Sequence, residues 1–224
     1  MKSICVLVLA LSMLTGSAPA HAAAPPPTPL NQINESSLGK KLIVEGPVIS
    51  AEVNSAGFRF LLSDGSGQVA LLIKDEDFAG VTERASLNVG ATLRAAGKLG
   101  KNSKGQFQVV LATHKDVAVL TPSVALTTRA RKYDLGAMNG NDHDAVVLVE
   151  GKVIEVRNTA TSVMLVLQDG TGAQIISLPR LVAKYVATDA LKSGQSLRVL
   201  GRVRATKKVG IQINVALPAD VQML

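Results

Sequence analysis

The sequence predicts an all-β protein built twice over: two tandem units, each of five strands with one short helix. Three observations carry this reading. The segment Phe60-Leu61-Leu62-Ser63-Asp64-Gly65-Ser66-Gly67 returns 105 residues later as Leu165-Val166-Leu167-Gln168-Asp169-Gly170-Thr171-Gly172. Glu45-Gly46-x-Val48-Ile49 returns at the same spacing as Glu150-Gly151-x-Val153-Ile154. Gly90 and Gly97 return as Gly194 and Gly201, one residue short of it. A period this long marks a duplicated domain, since solenoid repeats run about 20–50 residues.

Each element can be justified in order. Residues 42–53 are rich in β-branched side chains, with Gly46-Pro47 marking a bend or bulge; residues 146–156 are the counterpart. Phe58-x-Phe60-x-Leu62 has the period of two that a strand needs, as does Val163-x-Leu165-x-Leu167. The Asp64-Gly65-Ser66-Gly67 and Asp169-Gly170-Thr171-Gly172 tetrads are turn chemistry. Asp bonds nearby backbone, and Gly accepts the positive φ of a tight hairpin. Third strands follow at 68–73 and 173–178. Residues 181–192 carry apolar side chains at helical spacing, with Pro179 near the start and Gly194 past the end. Their counterpart, 75–88, is weaker and contains Gly80. Residues 92–99 with 107–112, and 196–204 with 210–216, supply the last two strands of each unit.

The order β-β-β-α-β-β, found twice, is that of an oligonucleotide/oligosaccharide-binding (OB) barrel. Gly46-x-Val48, Phe60-x-Leu62-x-Asp64-x-x-Gly67 and Gly90-x-x-Leu93-x-x-x-Gly97 resemble the OB-fold domain of the tRNA-anticodon-binding type. The second unit repeats them as Gly151-x-Val153, Leu165-x-Leu167-x-Asp169-x-x-Gly172 and Gly194-x-x-Leu197-x-x-x-Gly201. The resemblance covers most of both units and implies two tandem five-stranded OB-fold barrels. The same type occurs in helicases, exonuclease subunits and single-strand binders, so it also implies nucleic-acid binding as an expectation. The motif residues themselves build turns and core.

The ends set the organisation. Lys2, the apolar run 4–14 and Ala20-His21-Ala22 read as a secretory signal peptide, cut after Ala22, in an exported bacterial protein that is periplasmic or secreted. The run is shorter than the roughly 20 residues that span a bilayer, and no later stretch is long enough, so the chain is not transmembrane. The domains are then a signal peptide at 1–22, an extended, mobile Pro-rich tether at 23–29, a first OB-fold at 30–120, a linker at 121–132 and a second OB-fold at 133–224. The lone cysteine, Cys5, falls inside the signal, so the exported form has no disulfide. Removing Lys2 leaves 23 basic against 17 acidic residues, a net charge of +6. That balance suits a polyanion partner.

Little argues for catalysis. Asp64 and Asp169 sit in hairpin turns with no second acid nearby in sequence. Asp75-Glu76-Asp77 has no counterpart in the second unit and suits a solvated helix start. His114 and His143 lack the spacing of a metal set, and Asp142-His143-Asp144 reads as a polar loop. No nucleophile elbow or phosphate-cradling glycine loop is present. The expectation is therefore a non-enzymatic binding protein with no catalytic residue, no metal and no cofactor.

The binding expectation rests on cations. Phe58 and Phe60 share a strand face with Leu62 and belong to the core. The opposite face carries Arg59, Leu61, Ala70, Leu72 and Lys74 in the first unit, and Met164, Val166, Ile175 and Ser177 in the second. In OB barrels this outer face and the loop between the last two strands hold the ligand. That loop carries Lys98, Lys101 and Lys104 in the first unit, and Arg202, Arg204, Lys207 and Lys208 in the second. Together with Arg59 and Lys74 these cations are the candidate site for single-stranded nucleic acid or another polyanion, bound weakly and without reading sequence. Arg129, Arg131 and Lys132 in the linker would extend the track. The alternative is a cell-envelope module that binds protein or glycan through the aliphatic outer faces.

Overall fold

The computed structural model describes residues 25–206 and 210–224. The predicted signal peptide, together with Lys207 and Lys208, lies outside the described residues. The first half of the chain contains β1 (Lys41–Asn54), β2 (Gly57–Ser63), β3 (Gln68–Lys74), the helix α1 (Asp75–Gly80), β4 (Thr92–Lys101), β5 (Phe107–Leu111) and β6 (Val117–Thr121). A short linker helix α2 (Leu126–Arg129) follows. The second half contains β7 (Val146–Asn158), β8 (Ser162–Gln168), β9 (Ala173–Pro179), α3 (Arg180–Ala183), β10 (Ser196–Thr206), β11 (Gly210–Asn214) and β12 (Val221–Met223).

Strand pairing closes each half into a ring. The long β1 serves two neighbours: its first half pairs with β4 and its second half with β2. β3 lies parallel to β5, and β5 returns antiparallel to β4, giving the closed order β1-β2-β3-β5-β4. The second ring is β7-β8-β9-β11-β10, with β9 parallel to β11. This is the strand order of the OB barrel, twice. Each ring also carries a sixth strand outside it, β6 on β4 and β12 on β10, which the sequence reading did not include.

Local sequence explains how one strand turns between two partners. A Cβ on Gly46 would lie 2.6 Å from the Ser63 carbonyl oxygen, and one on Gly151 would lie 2.6 Å from that of Gln168. Only glycine permits that crossing. The predicted bulge falls two residues beyond Gly46-Pro47. The register skips Ile49 between Val48 and Ser50, and Ile154 between Val153 and Glu155. The extra residue bends the strand and leaves Ile49 and Ile154 exposed.

The barrel interiors are apolar. Phe58, Phe60, Leu62, Leu165 and Leu167 are all fully buried, as the shared strand face predicts. The predicted helix over 181–192 is broken into α3 and a 3-10 turn at Thr188–Leu191, with Ala187 extended between them. Its apolar spacing is still used, because Val182, Ala183, Val186 and Ala190 are buried. The break coincides with Lys184 and Tyr185, which reach into the other barrel.

The barrels pack directly on each other. The Tyr185 hydroxyl donates to the Asp75 carboxylate at 2.6 Å, and Lys184 Nζ bonds the same group at 2.7 Å. Asp75 is thus a latch between barrels rather than only a solvated helix start, and Lys184 and the Tyr185 hydroxyl hold its carboxyl below the usual range. Beside it Phe58 and Phe78 stack with centroids 3.9 Å apart, and Tyr185 meets the Phe78 ring edge-on at 5.0 Å. Such pairs add about 0.5–1.5 kcal/mol beyond area burial. A second junction is polar. Asp220 accepts from Asn88 Nδ2 at 2.8 Å and from Arg129 at 2.9 Å, and both Asn88 and Asp220 are buried. The linker is anchored too, since Leu126 of α2 packs on Leu148 and Leu200 outside the second barrel. The described part of the Pro-rich segment, residues 25–29, is bonded to the first barrel: Thr28 N–H donates to the Ile43 carbonyl at 2.7 Å, and Arg94 holds the Pro25 carbonyl.

Candidate functional site

The repeated Asp-Gly-x-Gly hairpins are clamps. One oxygen of Asp64 accepts from Ser66 N–H at 2.8 Å and Gly67 N–H at 3.0 Å, which closes the turn. The other accepts Leu30 N–H at 2.8 Å, from the segment that enters the barrel. Asp169 repeats this with Thr171 at 2.7 Å, Gly172 at 2.9 Å and Leu135 at 2.9 Å. Leu30 and Leu135 are buried, so each clamp seats an apolar plug. These donors, led by the Leu30 N–H and the Ser66 hydroxyl, hold the Asp64 carboxyl well below its ordinary range. Burial pushes Asp169 upward, but the Thr171 hydroxyl and the Leu135 N–H outweigh it and bring the carboxyl to about 2. All these bonds are internal and structural. Among the described residues no group of three or more His, Cys, Asp or Glu could hold a metal ion.

The predicted cations are placed on the surface, but many carry acidic partners. Arg59, on β2, bonds Glu52 at 2.6 Å and Gln106 at 3.2 Å. Lys74 lies 3.7 Å from Glu76. Lys101 pairs with Glu35 and also sits 5.3 Å from the Phe107 ring centroid. Arg202 donates to the Asp144 carbonyl at 2.7 Å, and Arg204 pairs with the Asp144 carboxylate. Lys98 and Lys104 are exposed and have no carboxylate partner among the described residues. In the linker, Arg129 is committed to buried Asp220 and Lys132 to Glu150 at 2.6 Å, so only Arg131 remains for a track.

Pairing of β1 with β4 adds two cations that the linear sequence did not bring forward. Lys41 stands directly opposite Lys98, and Lys40 bonds Leu99 through its backbone. One end of the first barrel thus gathers Lys40, Lys41, Lys98, Lys101 and Lys104. Its nearby acids are Glu35 and Asp116, which take Lys101 and Lys41. Like charges directly opposite across a ladder are destabilising. The strand pairing was the missing signal, because a register cannot be read from either strand alone. Phe107, half-buried at the base of the same loop, is the aromatic nearest this cluster.

The second barrel handles its loop differently. Asp144 adopts φ of 68°, a left-handed backbone uncommon outside glycine, and from there meets both Arg202 and Arg204. His143 Nδ1 accepts Ala205 N–H at 3.0 Å, and Asp142 accepts the Tyr133 hydroxyl at 2.8 Å. Asp142-His143-Asp144 is therefore a brace for the end of β10. The aliphatic outer faces are not open patches: Ala70 and Leu72 are buried, while Met164, Val166 and Ile175 are half-buried. The exposed large apolar side chains, among them Ile49, Val124 and Val146, lie elsewhere.

No family model matches the chain, and no curated protein matches it. Solved structures do overlap. The asparaginyl-tRNA synthetase from Pyrococcus horikoshii matches 42% of this chain at 17% identity and a TM-score of 0.35. This chain covers only 23% of that synthetase. The HINb domain of p204 matches 83% of this chain and 95% of its own length, at 14% identity and a TM-score of 0.34. An OBody, AM1L10, bound to hen egg-white lysozyme matches 42% of this chain and 92% of its own, at 21% identity and 0.34. None of these scores reaches 0.5, so the OB assignment rests on the strand order and ring closure above.

Proposed function

We propose that this chain is an exported, non-enzymatic binding protein whose first barrel holds a polyanion, with single-stranded nucleic acid the best-fitting class. Binding is weak and does not read sequence. The observation that carries this reading is the lysine end of the first barrel: five lysines against two carboxylates, including a like-charge pair directly across the ladder. A fold selected for stability alone has no need of Lys98 opposite Lys41. A phosphate backbone relieves that repulsion, and flexible ammonium groups contact phosphates without selecting bases. Phe107 supplies a ring beside the cations on which a base can stack, an interaction of about 1–3 kcal/mol. The arginines of the second barrel are held by Asp144 and make a weaker contribution.

Fluorescence anisotropy with a labelled oligodeoxythymidylate tests the reading. If four phosphates are neutralised, affinity falls about 50-fold between about 50 and 200 mM salt. Absence of binding at the lower salt, or affinity indifferent to salt, would exclude it.

A further inference from the structure

The two barrels and the linker enclose a cleft of about 380 Å³, within the size range of small-molecule sites. It is separate from the lysine end. Its walls are apolar and come from three parts of the chain: Ile49 from the β1 bulge, Val124 from the linker, and Val146 with Leu200 from the second barrel. Ile49, Val124 and Val146 are 43%, 50% and 48% exposed, so three of the exposed large apolar side chains among the described residues converge on one concavity. Convergence of this kind marks a binding surface, whereas singly scattered apolar residues need no explanation.

The polar groups of the cleft are few and directed. Asp220 lies at one side with its oxygen already committed to Asn88 and Arg129. Arg202 stands at the rim. The Arg129 charge is taken by Asp220, so the net positive charge of the cleft comes from Arg202, whose bond is to the Asp144 carbonyl. Asn214 also lines the cleft, with its Oδ1 turned away from solvent.

We infer that this cleft binds a small amphipathic acid: an apolar body against Ile49, Val124 and Val146, and an acidic group toward Arg202. The walls require the apolar body, and the Arg202 charge, which meets a carbonyl rather than a carboxylate among the described residues, requires the acid. Because the site draws on both barrels and the linker, its occupant bears on how firmly the barrels are held together. The inference does not depend on polyanion binding by the first barrel.

The probe is 1-anilinonaphthalene-8-sulfonate, which combines aromatic rings, an N–H and a sulfonate. N-phenyl-1-naphthylamine, with the same rings and N–H but no acid, is the control. Both are titrated into the purified, ¹⁵N-labelled protein, followed by fluorescence and by amide correlation spectra. The sulfonate probe should saturate one site, shift the Asn214 side-chain amide and the Val124 amide, and bind at least about tenfold more tightly than the control. Val124→Glu and Ile49→Glu, both at exposed positions, should each weaken it at least about tenfold without changing the thermal midpoint. If either variant is less stable, the amide map of the unaltered protein decides. Non-saturating binding, or saturation that leaves Asn214 unshifted, would overturn the site. Equal affinity for the two probes would overturn the acid.

Discussion

Asp116 and Asp220 occupy the same place in the two barrels, 104 residues apart, each in a 3-10 turn just before the sixth strand. Their surroundings are opposite. Asp116 is at the surface and pairs with exposed Lys41 at 3.3 Å. Asp220 is buried between the barrels and pairs with Arg129 of the linker and Asn88 of the first barrel. The clamps at Asp64 and Asp169, by contrast, keep the same donors at nearly the same distances. Residues that close each ring are thus used identically in both copies. Residues facing outward are used differently, because the first barrel meets the linker and second barrel on a side where the second barrel meets the first.

The largest expected effect tests the Asp116–Asp220 difference. Arg129→Ala leaves Asp220 buried without its cation and should lower stability by about 3–5 kcal/mol. Lys41→Ala, the matching change in the first barrel, should cost no more than about 1 kcal/mol. Urea unfolding of the two variants measures both. Similar losses would show that buried Asp220 does not depend on its Arg129 partner.

The clamps offer a finer comparison. Gly136 in the second barrel corresponds to Asn31 in the first. A Cβ on Gly136 would fall 2.2 Å from the Thr171 carbonyl oxygen, a backbone atom that cannot move aside. Gly136→Asn should therefore cost about 1–3 kcal/mol, while Asn31→Gly should cost less than about 1 kcal/mol. Thermal unfolding of the exchanged pair checks the asymmetry.

The three acids should also separate by pH. Asp64 and Asp169 have folded values below their unfolded ones. Their stabilisation is complete above about pH 4, and that of Asp169 is lost as pH falls through about 2. Asp220 runs the other way, since burial raises its value. Its contribution is present below the unfolded value and declines as pH rises through the folded one. Thermal midpoints measured against pH should fall at the acid end, and Asp169→Asn should flatten that limb. An unchanged limb would mean that the Asp169 clamp contributes nothing as a carboxylate.

The smallest stability effect is the most informative about function. Lys98→Thr removes the like-charge pair with Lys41 and should raise stability by about 0.2–1 kcal/mol. The same change should weaken oligonucleotide binding and flatten its salt dependence by about 0.7 in logarithmic slope. Loss of both stability and binding would instead make Lys98 part of the scaffold.

What could be read from the chain alone follows a physical division. Ring strands, core phenylalanines and hairpin turns are local: period-two runs and Asp-Gly pairs declare themselves within a few residues. The clamp was half legible, because the turn lies within the Asp64–Gly67 tetrad while its third donor, Leu30, is 34 residues away. The lysine end was legible for Lys98, Lys101 and Lys104, which are close in sequence although the first two lie on β4 and only Lys104 in the turn, but not for Lys40 and Lys41, which arrive by cross-strand register. The helix expected over 181–192 had the right buried positions and the wrong continuity, because Tyr185 and Lys184 answer to Asp75 in the other barrel. Burial of Arg129 was illegible for the same reason: nothing in the linker records which face the second barrel presents to it.

The central claim, that the lysine end of the first barrel holds a polyanion, is tested most directly by one comparison. Anisotropy of labelled oligodeoxythymidylate is followed across salt for the purified protein and for the triple variant Lys98→Glu, Lys101→Glu, Lys104→Glu. The account predicts measurable binding at low salt and a steep slope for the parent, with the slope reduced by about 2 in the variant, about 0.7 for each of three phosphate contacts. Equal affinity and slope in the two proteins would contradict it.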